Sequence, residues 1–261
     1  MNKFLITSLI SFMLASNVSA DTDGENNLSK KTKPVKDCFE RLNRTTFSLN
    51  QGLDKLIFKP VAKGYRNLPS PVRNKTSNVL DNLSSLVTVP NNILQGDFKT
   101  AGINTGRFVV NTTVGILGIF NVAEKIGFSE YVKEDYGQTL GVMGFSEGCY
   151  LVLPVLGPST VRDTVGSFLN IMGGDPYYNA STHGNNEYLT DSVYMTTKII
   201  SGVDFRAKNL DSIDNLEKNS LDFYASVRSL YLQDRQQKIS NSNPTIEIMY
   251  EGDWEEVEPL E

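Results

Sequence analysis

The residues best spaced for chemistry are Gly144-Phe145-Ser146-Glu147-Gly148, which match G-x-S-x-G, the turn on which lipases and esterases expose a nucleophilic serine. Asp163 or Asp175 and then His183 follow in the order such hydrolases use. The surroundings argue against catalysis. Gly148 is followed by the strand-like CYLVLP, where a nucleophile elbow needs a helix, and the histidine lies only 37 residues after the serine. A doubly wound sheet needs more alternating strands and helices than that interval holds. His183, the single histidine, sits among Asn, Gly and Thr and reads as a solvated loop residue. One histidine and two distant cysteines cannot form a zinc site without several carboxylates, and no HExxH, CxxC, GxGxxG or P-loop occurs. The expectation is a chain with no catalytic residues, no metal and no cofactor.

What must position any site is exported first. Lys3, the apolar run Phe4 to Ala15 and the small residues Val18-Ser19-Ala20 read as a signal peptide over 1–20, cut after Ala20. The run is short for an uncleaved anchor, since crossing a bilayer takes about 20 apolar residues. No cysteine follows it closely enough to accept a lipoprotein lipid, because the first one is Cys38. In an oxidising compartment Cys38 and Cys149 could pair, and composition leaves pairing and two separately buried thiols equally open. Net charge is −5, but seven acidic residues and no basic one fall after Ser240. Residues 21–240 then carry 24 basic and 23 acidic groups, which excludes the basic face of a nucleic-acid binder. Segment 241–261 reads as an acidic, disordered tail and 21–36 as a flexible tether.

The body between them reads as mainly helical. Asp37 and Glu40 resemble a capping box, and Phe39, Leu42, Thr46, Leu49, Leu53 and Leu56 recur at helical spacing up to a stop before Pro60. Ser70-Pro71 predicts a second helix start, and Asp97 caps a third with Phe98, Ala101, Thr105, Phe108 and Thr112 on one face. The apolar stretch that ends in VGILGIF (114–120) is too short to span and reads as a core helix or an interfacial segment, the core helix being the commoner. Between Gly137 and Gly157, Thr139–Val142 and Cys149–Leu153 read as the strands of a glycine-containing β-hairpin, after which Pro158-Ser159 opens another helix. Beyond a loop over Gly173–Asn186, Leu189, Val193, Thr196, Ile200 and Val203 predict a helix, and a last one starts near Ser220.

Taken as a set, DCFERLNRTTFSLNQGLD (37–54), FKPVAKGYRNLPSPVRN (58–74), ILQGDFKTAGINTGRFVVNTTVGILGIFNVA (93–123), GQTLGVMGFSEGCYLVLPVLGPSTVRD (137–163) and SLDFYASVRSLYLQDR (220–235) resemble successive blocks of the MlaA (VacJ) family, in order and at compatible spacing. The resemblance implies a single domain over 37–240, a ring of mostly amphipathic helices in the inner leaflet of an outer membrane, with one glycine-rich hairpin. It implies a central amphipathic channel through which phospholipid misplaced in the outer leaflet reaches a soluble periplasmic lipid carrier, and association with a trimeric porin. Amphipathic helices too short to span suit such an interfacial body.

By motif, Asn43, Arg44, Phe47 and Asn50 lie on the family's first helix, and Gly141, Gly144, Gly148, Tyr150, Leu153 and Pro154 form its hairpin. The resemblance makes Asn43, Phe47, Asn50 and the hairpin set candidates for a channel wall or gate, while the glycines also serve a role that only shapes the turn. Arg162-Asp163 is expected to form an internal ion pair that orients a helix. A phosphate near the pore would seek a cation, and Lys198 and Arg206 are the candidates, with surface snorkelling the commoner fate of such side chains. The chain departs from the family in lacking the lipoprotein cysteine. It also carries Cys38 and Cys149 where the family has prolines, which favours a disulfide tying the first helix to the hairpin. Two other functions stand against transport: a lipid-ester hydrolase using Ser146, and an envelope scaffold, which would have a solid core where a transporter has an open amphipathic channel.

Overall fold

A computed structural model describes residues 35–183 and 190–241. The signal segment, the tether up to residue 34 and the acidic segment beyond Asn241 lie outside the described residues. Val35 and Lys36, the last two residues of the stretch read as tether, belong to the fold: the Lys36 carbonyl accepts from the Tyr150 amide at 2.9 Å.

Helix α1 (Glu40–Leu53) passes through a π turn (Asp54–Phe58) directly into α2 (Lys59–Arg66), so the expected stop before Pro60 does not occur. Pro60 falls in the first turn of α2, just after the π turn, where its fixed φ suits the helix. Asp37 is not a cap either. It accepts from Asn43 Nδ2 at 2.7 Å and from the Tyr224 hydroxyl, which fastens the start of α1 to the last helix. Helix α3 (Ser70–Leu94) takes Ser70 as its first residue, with no side-chain cap. Helix α4 (Phe98–Thr113) is capped as predicted, Asp97 accepting from the Thr100 amide at 3.0 Å.

The apolar stretch after α4 is not a core helix. Val114, Ile116 and Leu117 are exposed, and Ile116 and Leu117 have φ of 53° and 55°. The turn is closed by Gly118 N–H donating to the Asn111 carbonyl at 2.8 Å. At φ 90°, Gly118 sits so close to Asn82 of α3 that a Cβ would lie 2.6 Å from the Asn82 Cβ. After the short α5 (Val122–Lys125), α6 (Tyr136–Val142) takes up the residues expected to form the first strand of the hairpin. Asp135 explains the difference: its carboxylate accepts from the Gln138 amide at 2.9 Å and starts a helix.

The hairpin pairs β1 (Tyr150–Leu153) with β2 (Gly157–Thr160), antiparallel, Tyr150 opposite Thr160 and Leu153 opposite Gly157. Pro158 and Ser159 are therefore strand residues. The helix they were expected to open, α7 (Val161–Leu169), starts after Thr160, whose hydroxyl accepts from the Asp163 amide at 3.1 Å. A second π turn (Asn170–Gly174) leads to α8 (Pro176–His183), a helix where a loop was expected, begun by Asp175 accepting from the Tyr177 amide at 2.9 Å. His183 ends that helix. Then come α9 (Asp191–Lys208), α10 (Leu210–Asn219), which the sequence pattern did not single out, and α11 (Phe223–Asn241). The outcome is a mainly helical fold with one two-stranded hairpin, as expected.

The distribution of polarity is inverted relative to a protein folded for water. Among the described residues nine buried side chains are apolar and twenty-three are polar or charged, so the interior is held chiefly by hydrogen bonds. On α3 the inward stripe is Ser77, Ser85, Thr88, Asn91 and Asn92, and on α4 it is Ala101, Asn104, Arg107 and Asn111. Of the face predicted for α4 only Ala101 is buried; Phe98 is 70% exposed and Thr105 is exposed as well. Asn104 donates to Asn92 at 2.9 Å, Asn82 to Thr112 at 2.9 Å, and Thr139 of α6 to Asn91 at 2.5 Å. Meanwhile Leu42, Leu49, Leu56, Ile57, Phe98, Leu156, Phe168 and Ile199 point outward, each more than half exposed. Apolar surface on this scale is unfavourable in water and favourable against lipid chains or a partner. No helix among the described residues is long and apolar enough to cross a membrane.

Candidate functional site: a polar cavity between the central helices

The inward stripes of α3 and α4 do not close on each other completely. They leave a cavity of about 630 Å³ walled by Asn74, Ser77, Asn78, Asp81, Asn82 and Ser85 of α3, by Arg107 and Asn111 of α4, by Asn121, Glu124, Glu130 and Tyr131 of the following segment, and by Lys208. Side-chain amides hold the wall: Asn111 Oδ1 accepts from the Ala123 amide at 2.9 Å, and Asn78 donates to the Ile119 carbonyl at 3.2 Å. Arg107, 5% exposed, donates to the Ser129 carbonyl at 2.6 Å and to Asn121 Oδ1 at 3.2 Å. No carboxylate among the described residues forms an ion pair with it. Poor solvation in this concavity pushes the Asp81 carboxyl above its ordinary range, nearby cations opposing. Burial pushes the Tyr131 hydroxyl, which shares a 2.8 Å hydrogen bond with Thr88, up to about 12. A smaller apolar hollow of about 340 Å³ lies against Ile103, Ile126, Gly127, Phe128 and Ser129, so the segment that carries Glu130 and Tyr131 borders both.

None of the residues expected to line a channel wall or gate lies on this cavity. Asn43 and Asn50, two helical turns apart on α1, hold the free edge of β1. Asn43 donates to the Tyr150 carbonyl at 3.0 Å and accepts from the Val152 amide at 2.9 Å. Asn50 donates to the Leu153 carbonyl at 2.9 Å and accepts from the Val155 amide at 2.8 Å. Each carboxamide reproduces the donor and acceptor of a neighbouring strand, and so α1 closes an edge otherwise left unpaired. Between them Phe47 packs edge-on against Phe223 and Tyr224, each 5.4 Å between ring centres, and Tyr150 lies fully buried in that cluster. Pro154 starts the hairpin tip, where Val155 has φ 67° and Leu156 is 77% exposed. Gly141 lets α6 approach α11: a Cβ there would meet Ile239 at 2.5 Å. Gly144 and Gly148 turn the chain between α6 and β1 at φ 90° and 70°.

Cys38, just before α1, and Cys149, just before β1, are joined in a disulfide with 5.6 Å between Cα atoms. Arg162 and Asp163 form a buried ion pair at 3.2 Å that also holds Arg235, whose guanidinium reaches Asp163 at 2.8 Å and Asp135 at 2.6 Å. Arg206 is held by Asp54 at 2.7 Å and by Asp214 at 3.3 Å. Lys198 is half exposed, 3.3 Å from Asp175 and over the Tyr194 ring. Neither cation lines the cavity; Arg107 does. The signal that could have found the cavity is the recurrence of amides at helical spacing, Asn74, Asn78 and Asn82 on α3 and Asn104 and Asn111 on α4. Ser146 lies exposed in the turn before β1, and a strand follows it rather than the helix of a nucleophile elbow.

A helical body with a polar interior, a polar hollow and an outward apolar coat is the class of protein suited to lie in lipid while holding a polar or amphiphilic ligand. The family described as MlaA lipoprotein matches residues 35–238, and the chain belongs to that family. It is 34% identical over 203 residues to the intermembrane phospholipid transport system lipoprotein MlaA of Escherichia coli, covering 76% of each chain. The protein of the same description from Haemophilus influenzae is 27% identical over 245 residues, 92% of this chain and 91% of that one. An uncharacterised protein of Rickettsia bellii is 32% identical over 210 residues, 79% and 78% of the two chains. A solved structure described as "Structural basis for maintenance of bacterial outer membrane lipid asymmetry" superposes with a TM-score of 0.67 at 32% identity, over 78% of this chain and 99% of that one.

Proposed function

We propose that this chain moves phospholipid at the outer membrane, taking molecules misplaced in the outer leaflet through its polar cavity to a soluble periplasmic carrier and so maintaining lipid asymmetry. The observation that carries the reading is the pairing of an outward apolar coat with a polar hollow between α3 and α4. A phospholipid has one charged and one apolar end, and a path for it must offer both environments. The family's characterised relatives are named for intermembrane phospholipid transport, which supports the same reading. No bond is made or broken in such a step, so the residues serve by shape and solvation. The apolar coat and, by family resemblance, a trimeric porin contribute to the membrane hold. A scaffold of the same family would need no hollow, and a lipid-ester hydrolase would need the elbow that the strand after Gly148 replaces.

Deleting the gene and measuring outer-leaflet phospholipid tests this. The deletion raises it and the intact gene restores it. A double variant that obstructs the hollow from exposed wall positions, Asn74→Trp with Glu130→Trp, reaches the membrane in normal amounts and fails to restore it. Full restoration by that variant sinks the cavity as the route, and an unchanged deletion strain sinks the function.

A further inference from the structure

Resting on that reading, we infer that the cavity recognises a zwitterionic phospholipid headgroup, one bearing a phosphate and an ammonium, in preference to an anionic one. The first observation is Arg107. A guanidinium 5% exposed, held only by the Ser129 carbonyl and Asn121 and with no carboxylate ion pair among the described residues, is a buried charge short of a counter-ion. Its neutral partners orient it without cancelling it, and a phosphodiester supplies the missing anion through charge-assisted hydrogen bonds.

The second observation is the balance of the wall around it. Asp81, Glu124 and Glu130 face the same hollow, and the other cation there, Lys208, is already paired with Asp204 at 2.8 Å. On the wall itself three carboxylates stand against one uncommitted cation, with Lys133 acting on Asp81 from beyond the lining, and that excess of negative charge disfavours a headgroup of net negative charge and welcomes an ammonium. Asp81 has no ion pair with a basic side chain among the described residues, and although its side chain is open to the hollow the concave wall solvates its charge poorly, so it gains most from a cation brought by the ligand. Phosphate at Arg107 and ammonium among the carboxylates satisfy both ends at once, where a phosphatidylglycerol satisfies one and strains the other.

The test uses the purified full chain in detergent and short-chain lipids with identical tails: dihexanoyl-phosphatidylethanolamine, dihexanoyl-phosphatidylglycerol and inorganic phosphate. Wild type binds the ethanolamine lipid about tenfold more tightly than the glycerol lipid, the scale of one charged hydrogen bond. Asp81→Asn with Glu124→Gln, both at exposed positions, removes that preference and leaves the glycerol lipid bound at least as well. Arg107→Gln weakens both lipids about tenfold or more, and Arg107→Lys, which keeps the charge where the fold needs it, recovers part of the loss. Equal binding of the two lipids by wild type, or an unchanged preference in the carboxylate variant, overturns the inference while leaving transport intact. Inorganic phosphate binding as tightly as the lipids reassigns the site to a free anion and overturns it too. Failure of both lipids to bind at all contradicts the transport reading itself.

Discussion

Replacing Arg235 with methionine removes the centre of the buried charge network that joins α6, α7 and α11. The guanidinium makes hydrogen bonds of 2.6 and 2.9 Å to Asp135 and of 2.8 Å to Asp163, and is itself buried. Deleting one partner of a buried pair costs about 3–5 kcal/mol because the other is left desolvated. Asp163 keeps Arg162 at 3.2 Å and the Tyr231 hydroxyl, which places the cost toward the lower end, about 3 kcal/mol. For a body of this size that is a fall in melting temperature of about 6–12 °C. The pH dependence distinguishes this cause from lost packing. Burial alone would raise the Asp135 carboxyl, but the Arg235 hydrogen bonds and charge outweigh it and hold it at about 2. Its contribution in the wild type is fully present above the ordinary carboxylate pKa near ~4 and is lost only as pH falls toward 2. Without Arg235 only the Gln138 hydrogen bonds still oppose burial, the carboxyl rises from its depressed value, and protonation relieves the variant as pH falls from 7 toward 4. Thermal unfolding in detergent at pH 7, 5 and 4 therefore shows a gap between the proteins that narrows with acid. A gap under about 1 kcal/mol, or one independent of pH, would refute the reasoning.

Asn43→Ala leaves the Tyr150 carbonyl and the Val152 amide without their partner and destabilises the protein by about 2–4 kcal/mol, read by denaturation, whereas Asn50→Ala, at a half-exposed tip, costs about 1 kcal/mol. Cys38→Ser with Cys149→Ser opens a loop of 111 residues and lowers stability by about 2–5 kcal/mol, and mass spectrometry of the non-reduced wild type finds no free thiol. Leu49→Glu with Leu56→Glu, on the outward face of α1 and the π turn, leaves unfolding in detergent within about 0.5 kcal/mol of wild type but releases protein from membranes, because the change is felt only at the lipid contact.

Helices were legible because their periodicity survives any solvent, and Asp97 capped α4 where the spacing said it would. Which face turns inward was not legible from the same pattern. The rule that an apolar stripe faces the core assumes water outside, and on α4 that rule chose Phe98 over Asn104 and Arg107. The hairpin was recognised but not its pairing. Asp135 diverts Thr139–Val142 into a helix, and the true partner strand, Gly157–Thr160, carries a proline and no alternation to announce it. Pro60 misled for a similar reason: a π turn leaves no mark in residue types, so a proline that ordinarily ends a helix was carried through one. Family resemblance drew attention to Asn43 and Asn50, which hold the edge of the hairpin, and to Gly141, Gly144 and Gly148, which pack α6 and turn the chain toward β1. The cavity assembles side chains from Asn74 to Lys208, and only packing brings those together.

The central claim is that phospholipid enters the polar hollow, and a photoreactive side chain placed at Asn78 in growing cells tests it most directly. Irradiation should give an adduct carrying the mass of a phospholipid, lost when Asn74→Trp with Glu130→Trp obstructs the hollow, while the same probe at the outward Phe98 is labelled in both backgrounds. Labelling at Phe98 with none at Asn78 in the unobstructed protein would place the chain in lipid without lipid in the cavity, and would contradict the account.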